Sequence, residues 1–369
     1  MERIVLAYSG GVAASAGIPW LRDTDHAEVI AVTVDLGQGQ ELEEVRDRAV
    51  AAGAARAHVL DLREDLARDF IVPAIKADAV SDAGAPMGAA LGHPLIARAL
   101  VSIAAIEQAA VVVHAAPAGS AGEARLDAAI RSLNPALRVR ALPHDWAAIA
   151  FDVADYARQR QIPLPPAPSF HVDANLWGRS AVGGVLDDLW TEPPEEVYTL
   201  TKAPADRAAE PAYVEVAFER GVPGAINGVA MPLLDVISSL TTIAGAHGVG
   251  RLDTVEHDPA GAKRRTVYEA PAALVLHAAH HDLQALVTPP DLARVARVIH
   301  QQYADVIAGG SWFSPLREAL DAFVDRVQER VTGTVRLKLF NGNCRVVGRT
   351  SPHARRAGAD QTQPAGVGA

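Results

Sequence analysis

Ile4-Val5-Leu6-Ala7-Tyr8-Ser9-Gly10-Gly11 is the stretch that decides the fold of this chain. Its first five residues predict a buried strand, and Ser9-Gly10-Gly11 predicts a tight turn directly after that strand. The next residues, Val12-Ala13-Ala14-Ser15, begin a predicted helix. A strand that enters a glycine-rich turn and then a helix presents backbone N–H groups to phosphate. The stretch therefore predicts a phosphate-binding edge near the start of the chain.

Strand and helix signals alternate through the first half of the chain. The predicted elements are strands over 28–34, 57–60 and 110–114 and helices over 41–52 and 94–108. Such alternation is typical of an α/β domain with a doubly wound parallel sheet. Ligands of these sheets bind beyond the carboxyl ends of the strands. The turn at Ser9 and the loop after His114 are therefore the candidate site loops.

A proline-rich segment over 163–168 marks a change in the pattern. Beyond it, half-exposed strands and amphipathic helices predict an α+β unit. One helix near 315–330 carries an apolar stripe, which predicts packing against another subunit and hence a homo-oligomer. The predicted organisation is a nucleotide-binding domain over 1–165, a second domain over 166–353 and a disordered tail over 354–369.

The composition excludes several classes of protein. The 369 residues carry a formal net charge of −10, which argues against nucleic acid or an anionic membrane as the main partner. A single cysteine, Cys344, excludes an internal disulfide framework and a cysteine-rich metal site. Without a signal peptide or an apolar run of about 18 residues, the sequence predicts a soluble cytoplasmic protein.

Several longer motifs resemble the argininosuccinate synthase family, the ATP-dependent ligases that join citrulline to aspartate. The resemblance covers roughly residues 3–353 and rests on Ala7-Tyr8-Ser9-Gly10-Gly11, Asp35-Leu36-Gly37-Gln38-Gly39, Asn175-Leu176-Trp177-Gly178-Arg179-Ser180, His247-Gly248-Val249-Gly250-Arg251, Val267-Tyr268-Glu269-Ala270-Pro271, Trp312-Phe313-Ser314-Pro315-Leu316-Arg317-Glu318 and Gln328-Glu329-Arg330-Val331-Thr332-Gly333. It implies a nucleotide-binding α/β domain followed by an α+β synthase-like domain with a C-terminal helical arm used in tetramers.

The resemblance also implies a site for ATP, bound with or without Mg²⁺. Its residues would be Ala7, Tyr8, Ser9, Gly10, Gly11, Ser15, His114 and Ala115. The wider class of pyrophosphatase-loop enzymes reads Ser-Gly-Gly-x-Asp-(Ser/Thr)-Ser at this turn. Here Ala13 replaces the acid and Ala14 the hydroxyl, so half of the phosphate cradle is missing. Gly17 and Pro19 predict a bent or shortened helix after the turn.

An amino-acid site is implied by four further matches. They are Arg125, Ser180, Glu256 and Tyr268, which should meet in one cleft between the two domains. An arginine and a glutamate can hold the two ends of an amino acid, although they could equally pair with each other. Other family positions have changed: Ala85 replaces a tyrosine, and Ala90 and His171 each replace a serine. The two alanines predict a wider cleft than citrulline needs.

The loop after His114 departs furthest from the family. The family binds aspartate with His-Gly-x-Thr-Gly-Lys-Gly-Asn-Asp-Gln, whereas this chain has His114-Ala115-Ala116-Pro117-Ala118-Gly119-Ser120-Ala121-Gly122-Glu123. A hydroxyl, a cation, an amide and a carboxylate are lost together, and His93 replaces a nearby arginine. Removing one positioned polar group costs roughly 10²–10³ in rate. The sequence therefore predicts loss of the aspartate site and of ordinary activity, and it identifies no catalytic residue.

Three functions remain open from the sequence. The first is an ATP-dependent carbon–nitrogen ligase with an altered substrate. The second is a degenerate paralogue that binds a ligand or assembles with a true synthase without catalysis. The third is an ordinary argininosuccinate synthase. No metal site is predicted: His277 and His281 have i,i+4 spacing, but no acid pattern accompanies them, and the spacing favours a helix with spare histidines.

Overall fold

The computed structural model describes residues 2–39, 41–162, 169–257 and 261–354. The predicted domain boundary at 163–168 and nearly all of the predicted tail, 355–369, lie outside the described residues.

The first half of the chain contains a five-stranded parallel sheet in the order β3-β2-β1-β4-β5. Its strands are β1 (Arg3–Ala7), β2 (Glu28–Asp35), β3 (Arg56–Asp61), β4 (Val111–His114) and β5 (Arg138–Ala141). Its helices are α1 (Val12–Asp25), α2 (Leu42–Ala51), α3 (Arg63–Leu66), α4 (Val72–Lys76), α5 (Gly88–Glu107), α6 (Ala121–Leu133), α7 (Leu142–Ala148) and α8 (Val153–Gln159). A π-helical turn, Ala67–Ile71, connects α3 to α4.

Helices cover both faces of this sheet. On one face, Leu21 of α1, Val45 of α2 and Trp146 of α7 pack in one apolar cluster. On the other face, Leu100 of α5 and Leu126 of α6 pack in another. The central strands are almost entirely buried, which explains their continuous apolar runs. The doubly wound α/β prediction is confirmed.

Within the described residues, the second half contains two antiparallel sheets and four α-helices, as the α+β prediction requires. The sheet orders are β10-β9-β8-β13-β14 and β11-β12-β7-β6. The strands are β6 (His171–Asn175), β7 (Gly178–Val182), β8 (Ala212–Glu219), β9 (Val222–Ile226), β10 (Val229–Ala230), β11 (Arg251–His257), β12 (Lys263–Glu269), β13 (Gly333–Phe340) and β14 (Asn343–Thr350). The helices are α9 (Leu233–Ala246), α10 (Pro271–Val287), α11 (Pro290–Ala308) and α12 (Pro315–Gln328).

Helix α12 is the predicted C-terminal helix, and its apolar stripe is covered by its own chain. Leu320, Val324 and Val327 are buried, whereas Leu316 at the start of the stripe is 51% exposed. The chain then continues into the β13–β14 hairpin. The argument that this stripe must pack on another subunit is therefore wrong, because the covering surface is intramolecular. The homo-oligomer remains a prediction.

Helix α1 continues through Pro19 to Asp25, so the expected shortening does not occur. Its Gly17 has a packing role, because a Cβ there would lie 2.4 Å from Cδ1 of Leu142. The small residue lets α7 approach α1 closely.

Among the described residues, one helix, α5, is long and apolar enough by composition to cross a membrane. More than half of its apolar window is buried inside the fold, as in the core helix of a globular protein.

The β6–β7 hairpin contacts the carboxyl edge of the parallel sheet. The N–H of Leu176 donates to the carbonyl of Leu36 over 2.7 Å, and the Asn175 side chain donates to the carbonyl of Gly88 over 2.8 Å. Gly37 has a φ of 87°, and a Cβ there would lie 2.9 Å from Cβ of Leu176. A glycine therefore allows this close approach, which places the second half of the chain over the strand ends where ligands bind.

Candidate active site

The Ser9-Gly10-Gly11 turn lies between β1 and α1 at the carboxyl edge of the parallel sheet. Ser9 and Gly11 are exposed, and Gly10 adopts a φ of 79° that favours glycine. Gly11 is the N-cap of α1, and no side chain caps this helix end within the described ranges. The first turn of α1 contains no acidic residue. The helix N-terminus therefore presents uncapped N–H groups and a partial positive charge to an anion.

Arg48 of α2 adds a full positive charge to this turn. A Cβ built on Gly10 would lie 2.7 Å from Nη2 of Arg48, so the guanidinium lies directly against the backbone of the turn. The side chain is exposed. The sequence analysis missed this residue, because no motif links α2 to the turn.

Tyr8 and Ser15 lie beneath the turn. Their hydroxyl oxygens are 2.9 Å apart and hydrogen-bonded to each other, and both residues are buried. They therefore support the turn from below. Ala13 lines an apolar cavity of about 530 Å³ together with Val12, Trp146 and Phe151. The position where the wider class carries its acid is thus apolar in this chain.

His114 ends β4 and is buried. Its Nε2 lies 3.1 Å from Oδ1 of Asp127, and its Nδ1 accepts a hydrogen bond from the N–H of Ala116 over 3.4 Å. These bonds fix the ring in the tautomer that carries its proton on Nε2. Ala115 follows at the strand end and is half-buried. His114 therefore holds the loop in place, and its ring nitrogens are both engaged.

Ser120 caps the N-terminus of α6, and Glu123 in the first turn bonds back to the residue before the cap. The Ser120 hydroxyl accepts the N–H of Glu123 over 3.1 Å, and Oε2 of Glu123 accepts the N–H of Gly119 over 2.6 Å. The other carboxylate oxygen lies 2.6 Å from Nε2 of His144. The chain's own carboxylate thus occupies this helix end, and an anionic ligand would have to displace it. The Ser-x-x-Glu spacing, which is typical of a helix N-terminus, is visible in the sequence.

His93 of α5 lies against the same helix. A Cβ on Gly122 would be 3.1 Å from Nε2 of His93. Its Nδ1 is buried and has no hydrogen-bond partner within the described part of the chain. Burial lowers the pKa of His93 to about 3, and the charge of Arg125 acts in the same direction. The imidazole is therefore neutral near pH 7.

The sheet β11-β12-β7-β6 carries the polar side chains of the predicted amino-acid site. Ser180 is the direct cross-strand partner of Tyr268 on one side and of Asp173 on the other. Directly paired residues point to the same face of a sheet. The Tyr268 hydroxyl donates to Oε2 of Glu256 over 2.8 Å. Burial raises the pKa of Tyr268 and the Glu256 carboxylate raises it further, so the phenol keeps its proton.

Ser81, which the sequence analysis missed, holds the other oxygen of Glu256. Its hydroxyl donates to Oε1 of that carboxylate over 3.1 Å. Ser81 belongs to the loop between α4 and α5 and has no sequence signal of its own. Ala85, in the same loop, and Ala90 are both buried. Neither alanine is exposed, and the wider cleft that they predict remains a prediction.

Arg125, on α6 in the first half of the chain, lies near this sheet. Its Nε donates to the carbonyl of Ala308 over 2.8 Å. Burial lowers the pKa of Arg125, and the nearby Tyr268, Asp173 and Glu256 oppose that shift. Within the described ranges, its guanidinium donates to this carbonyl and to neither carboxylate. Arg125 and these acidic side chains therefore lie within electrostatic reach of one another.

Other residues singled out from the sequence lie at the margin of the cleft. His171 begins β6 and is exposed. Partial burial raises the pKa of the Asp173 carboxyl, although Arg125 and His171 oppose the shift. Among the described residues, no group of three or more histidine, cysteine or acidic side chains has the spacing to hold a metal ion.

Comparison with known proteins identifies both halves of the chain. The model of the argininosuccinate synthase N-terminal HUP domain matches residues 3–163, and the model of the C-terminal domain matches residues 170–357. The argininosuccinate synthase of Dictyoglomus turgidum is 42% identical over 355 residues, which cover 96% of this chain and 89% of that protein. Those of Symbiobacterium thermophilum and Trichodesmium erythraeum are 44% and 43% identical, covering 95% of this chain and 88% and 89% of theirs.

Proposed function

The chain belongs to the argininosuccinate synthase family of ligases, and on that premise we propose that it uses ATP to join an amine to the ureido carbon of an amino acid. The observation that carries the proposal is the position of Arg125. This cation, supplied by the first half of the chain, lies close enough to Glu256, Tyr268 and Asp173 of the second half to interact with them electrostatically.

In this proposal the amino acid spans the cleft. Arg125 pairs with its carboxylate, and Glu256 accepts hydrogen bonds from its ureido or ammonium nitrogen. Tyr268 and Ser81 fix the two oxygens of Glu256, so the carboxylate is oriented before the ligand arrives. Ser180 supplies a hydroxyl on the same face of the sheet.

ATP would bind with its polyphosphate on the Ser9-Gly10-Gly11 turn, the N-terminus of α1 and Arg48. The ureido oxygen attacks the α-phosphorus and pyrophosphate leaves. The amine then attacks the ureido carbon and AMP leaves. Both steps depend mainly on positioning and charge stabilisation. Because Ala13 provides no carboxylate, any Mg²⁺ would be held chiefly by the phosphates of the nucleotide.

The first candidate reaction is the condensation of citrulline with aspartate, a step of arginine biosynthesis. The names of the relatives support it and favour an ordinary synthase over a degenerate or non-catalytic paralogue. The second candidate is the same ligation with a different amine. It is favoured by Glu123, whose carboxylate occupies the N-terminus of α6 where the family resemblance expects the aspartate loop.

The experiment that tests the proposal is a product assay by mass spectrometry. Purified protein is incubated with ATP, Mg²⁺ and citrulline, first with aspartate and then with a panel of uncharged and cationic amines. Argininosuccinate together with AMP supports the first candidate. An adduct of another amine, formed in the absence of argininosuccinate, supports the second. If citrulline yields no AMP with aspartate or with any amine of the panel, the ligase proposal is wrong. The non-catalytic paralogue then takes its place.

Assembly and location remain part of this proposal. The family resemblance predicts a homotetramer, and the charge and composition predict a cytoplasmic protein whose ligands are small molecules and not nucleic acid or membranes. Sedimentation at micromolar concentration would test the tetramer.

A further inference from the structure

Three histidines surround the carboxylate of Asp78, at the end of α4. Nδ1 of His281 lies 2.6 Å from Oδ2 of Asp78, and Nδ1 of His277 lies 3.5 Å from Oδ1. Nδ1 of His300 lies 3.9 Å from Oδ2. His277 and His281 are one turn apart on α10, and His300 comes from α11. His277 and His281, for which the sequence predicts no role, therefore contact the same carboxylate.

Asp78 adopts an unusual backbone conformation. Its φ is 47°, in the left-handed region that glycine and asparagine prefer. The N–H of Ala79 donates to the carbonyl of Ala74 and the N–H of Asp78 to that of Ile75, both over 2.9 Å. These are the bonds of a Schellman helix end. Side-chain contacts can hold a residue other than glycine in such a conformation, and the Asp78 carboxylate contacts these histidines.

The segment that leaves Asp78 leads directly to the amino-acid cleft. The N–H of Ser81 donates to the carbonyl of Ala85 over 2.8 Å, and the N–H of Ala85 donates to the Ser81 hydroxyl over 3.1 Å. The same hydroxyl reaches Oε1 of Glu256. The path of the chain at Asp78 therefore decides where Ser81 meets Glu256.

We propose that Asp78 is a positioning residue: the histidine cluster holds Asp78, and Asp78 holds the 79–87 segment so that Ser81 orients Glu256. The consequence for substrate binding rests on the function proposed above. The order of the 79–87 segment does not rest on that function, because it is a property of the protein without ligand.

Other titratable and charged groups lie around the cluster. His280 of α10 interacts electrostatically with Asp78, and Asp282 of α10 interacts with His281 and pairs with Arg349 of β14. Lys76 of α4 pairs with Asp325 of α12. Burial alone would raise the pKa of Asp78, but the hydrogen bond to His281 and the nearby His277 outweigh it and hold that pKa well below its usual range. The bond to Asp78 raises the pKa of His281. Burial lowers the pKa of His300 and brings that of His280 to about 4.

These directions set the pH range in which the cluster weakens. The charged His281–Asp78 pair is fully formed below the unfolded histidine pKa of about 6.5 and is lost as the pH rises through the raised folded value. His300 and His280 lower the stability of the folded state as the pH falls through about 6.5, because the unfolded chain gains their protons first. A comparison of pH 6.5 with pH 8.5 spans the titration of the His281–Asp78 pair.

Hydrogen–deuterium exchange of the full chain tests the proposal without any ligand. Asp78→Asn keeps a residue that tolerates the left-handed backbone and removes the charge. We expect it to speed exchange at Ser81, Gly84 and Ala85 roughly ten-fold, the effect of losing a hydrogen bond to a charged group. Asp325→Asn is the matched control. It also removes one carboxylate charge, from the ion pair that Asp325 of α12 forms with Lys76 of α4. Unchanged exchange in Asp78→Asn, or equal loosening in the control, would overturn the proposal.

His281→Gln gives a second, independent arm. His281 is 69% exposed, so its replacement leaves the core intact even if Asp78→Asn proves unstable. In the wild type, after correction for intrinsic rates, exchange in the segment should be faster at pH 8.5 than at pH 6.5. His281→Gln should abolish that difference, and its persistence in the variant would contradict the role of the cluster.

The link to the substrate is measured separately. Asp78→Asn should raise the Kd or KM for citrulline by about the same factor as exchange, with kcat little changed. If wild-type protein neither binds nor converts citrulline, the proposed function fails, while the exchange experiment still decides the role of Asp78.

Discussion

The phenol of Tyr268 donates a hydrogen bond to Oε2 of Glu256 from the neighbouring strand, with the two oxygens 2.8 Å apart. Ser81 bonds the other oxygen from the first half of the chain. Glu256 is therefore held in one orientation by groups from both halves. A carboxylate fixed in this way loses little entropy when a ligand binds, which makes Tyr268 the first residue to test.

Tyr268→Phe removes one of the two bonds to Glu256 and keeps the ring. We expect kcat/KM for the amino acid to fall roughly ten-fold, because hydrogen bonds to charged groups contribute about 1.5–3 kcal/mol. Steady-state kinetics measures the effect. Tyr213→Phe is the control, since Tyr213 is 55% exposed on β8. Equal kinetics for Tyr268→Phe and wild type would show that Ser81 alone orients the carboxylate.

Arg48→Gln removes the cation that lies against Gly10. The affinity for ATP should fall roughly five- to ten-fold and become less sensitive to salt, because an exposed charge acts through a screened interaction. Calorimetric titration of ATP at two salt concentrations measures both effects. Arg46→Gln is the matched control on the same helix, where Arg46 pairs with Asp47. An equal loss of affinity in both variants would mean that only the overall charge of α2 matters.

Glu123→Gln tests the closed N-terminus of α6. Glutamine keeps an oxygen for the N–H of Gly119 but loses the charge that faces the helix dipole and His144. We expect the free energy of unfolding to fall by about 0.5–1 kcal/mol in urea denaturation. Glu318→Gln, in the first turn of α12, controls for the dipole alone. If both variants lose the same stability, the bonds to Gly119 and His144 contribute nothing measurable.

His93 predicts a specific loss of stability in acid. Its pKa is lowered to about 3, so below about pH 6.5 the unfolded chain binds a proton that the folded chain does not. Stability is present above that pH and falls progressively as the pH drops toward 3. His93→Gln should therefore show a smaller loss than wild type between pH 7 and pH 5 in urea unfolding. The exposed His353→Gln should behave as wild type, and the same slope in all three proteins would refute the assignment.

The sequence was sufficient for the layers of the fold and insufficient for the details of the site. Alternating apolar strands and helices predicted the parallel sheet because burial of both faces leaves a direct mark on residue type. The stripe of α12 was misinterpreted, because an apolar face does not say whether its cover is the same chain. Arg48 and Ser81 could not be predicted, since only tertiary packing brings them to Gly10 and Glu256. Arg125, Ser180, Glu256 and Tyr268 were proposed from family resemblance, and their roles remain predictions.

Calorimetric titration of citrulline, in the presence of a non-hydrolysable ATP analogue, tests the central claim most directly by comparing wild type with Glu256→Gln. Asp253→Asn is the matched control on the same strand, where Asp253 pairs with Arg265. The account predicts that wild type and control bind with equal affinity and that Glu256→Gln binds at least ten-fold more weakly, because it loses the charge that pairs with the ligand. Equal affinity in all three proteins would contradict the assignment of Glu256 to the amino-acid site.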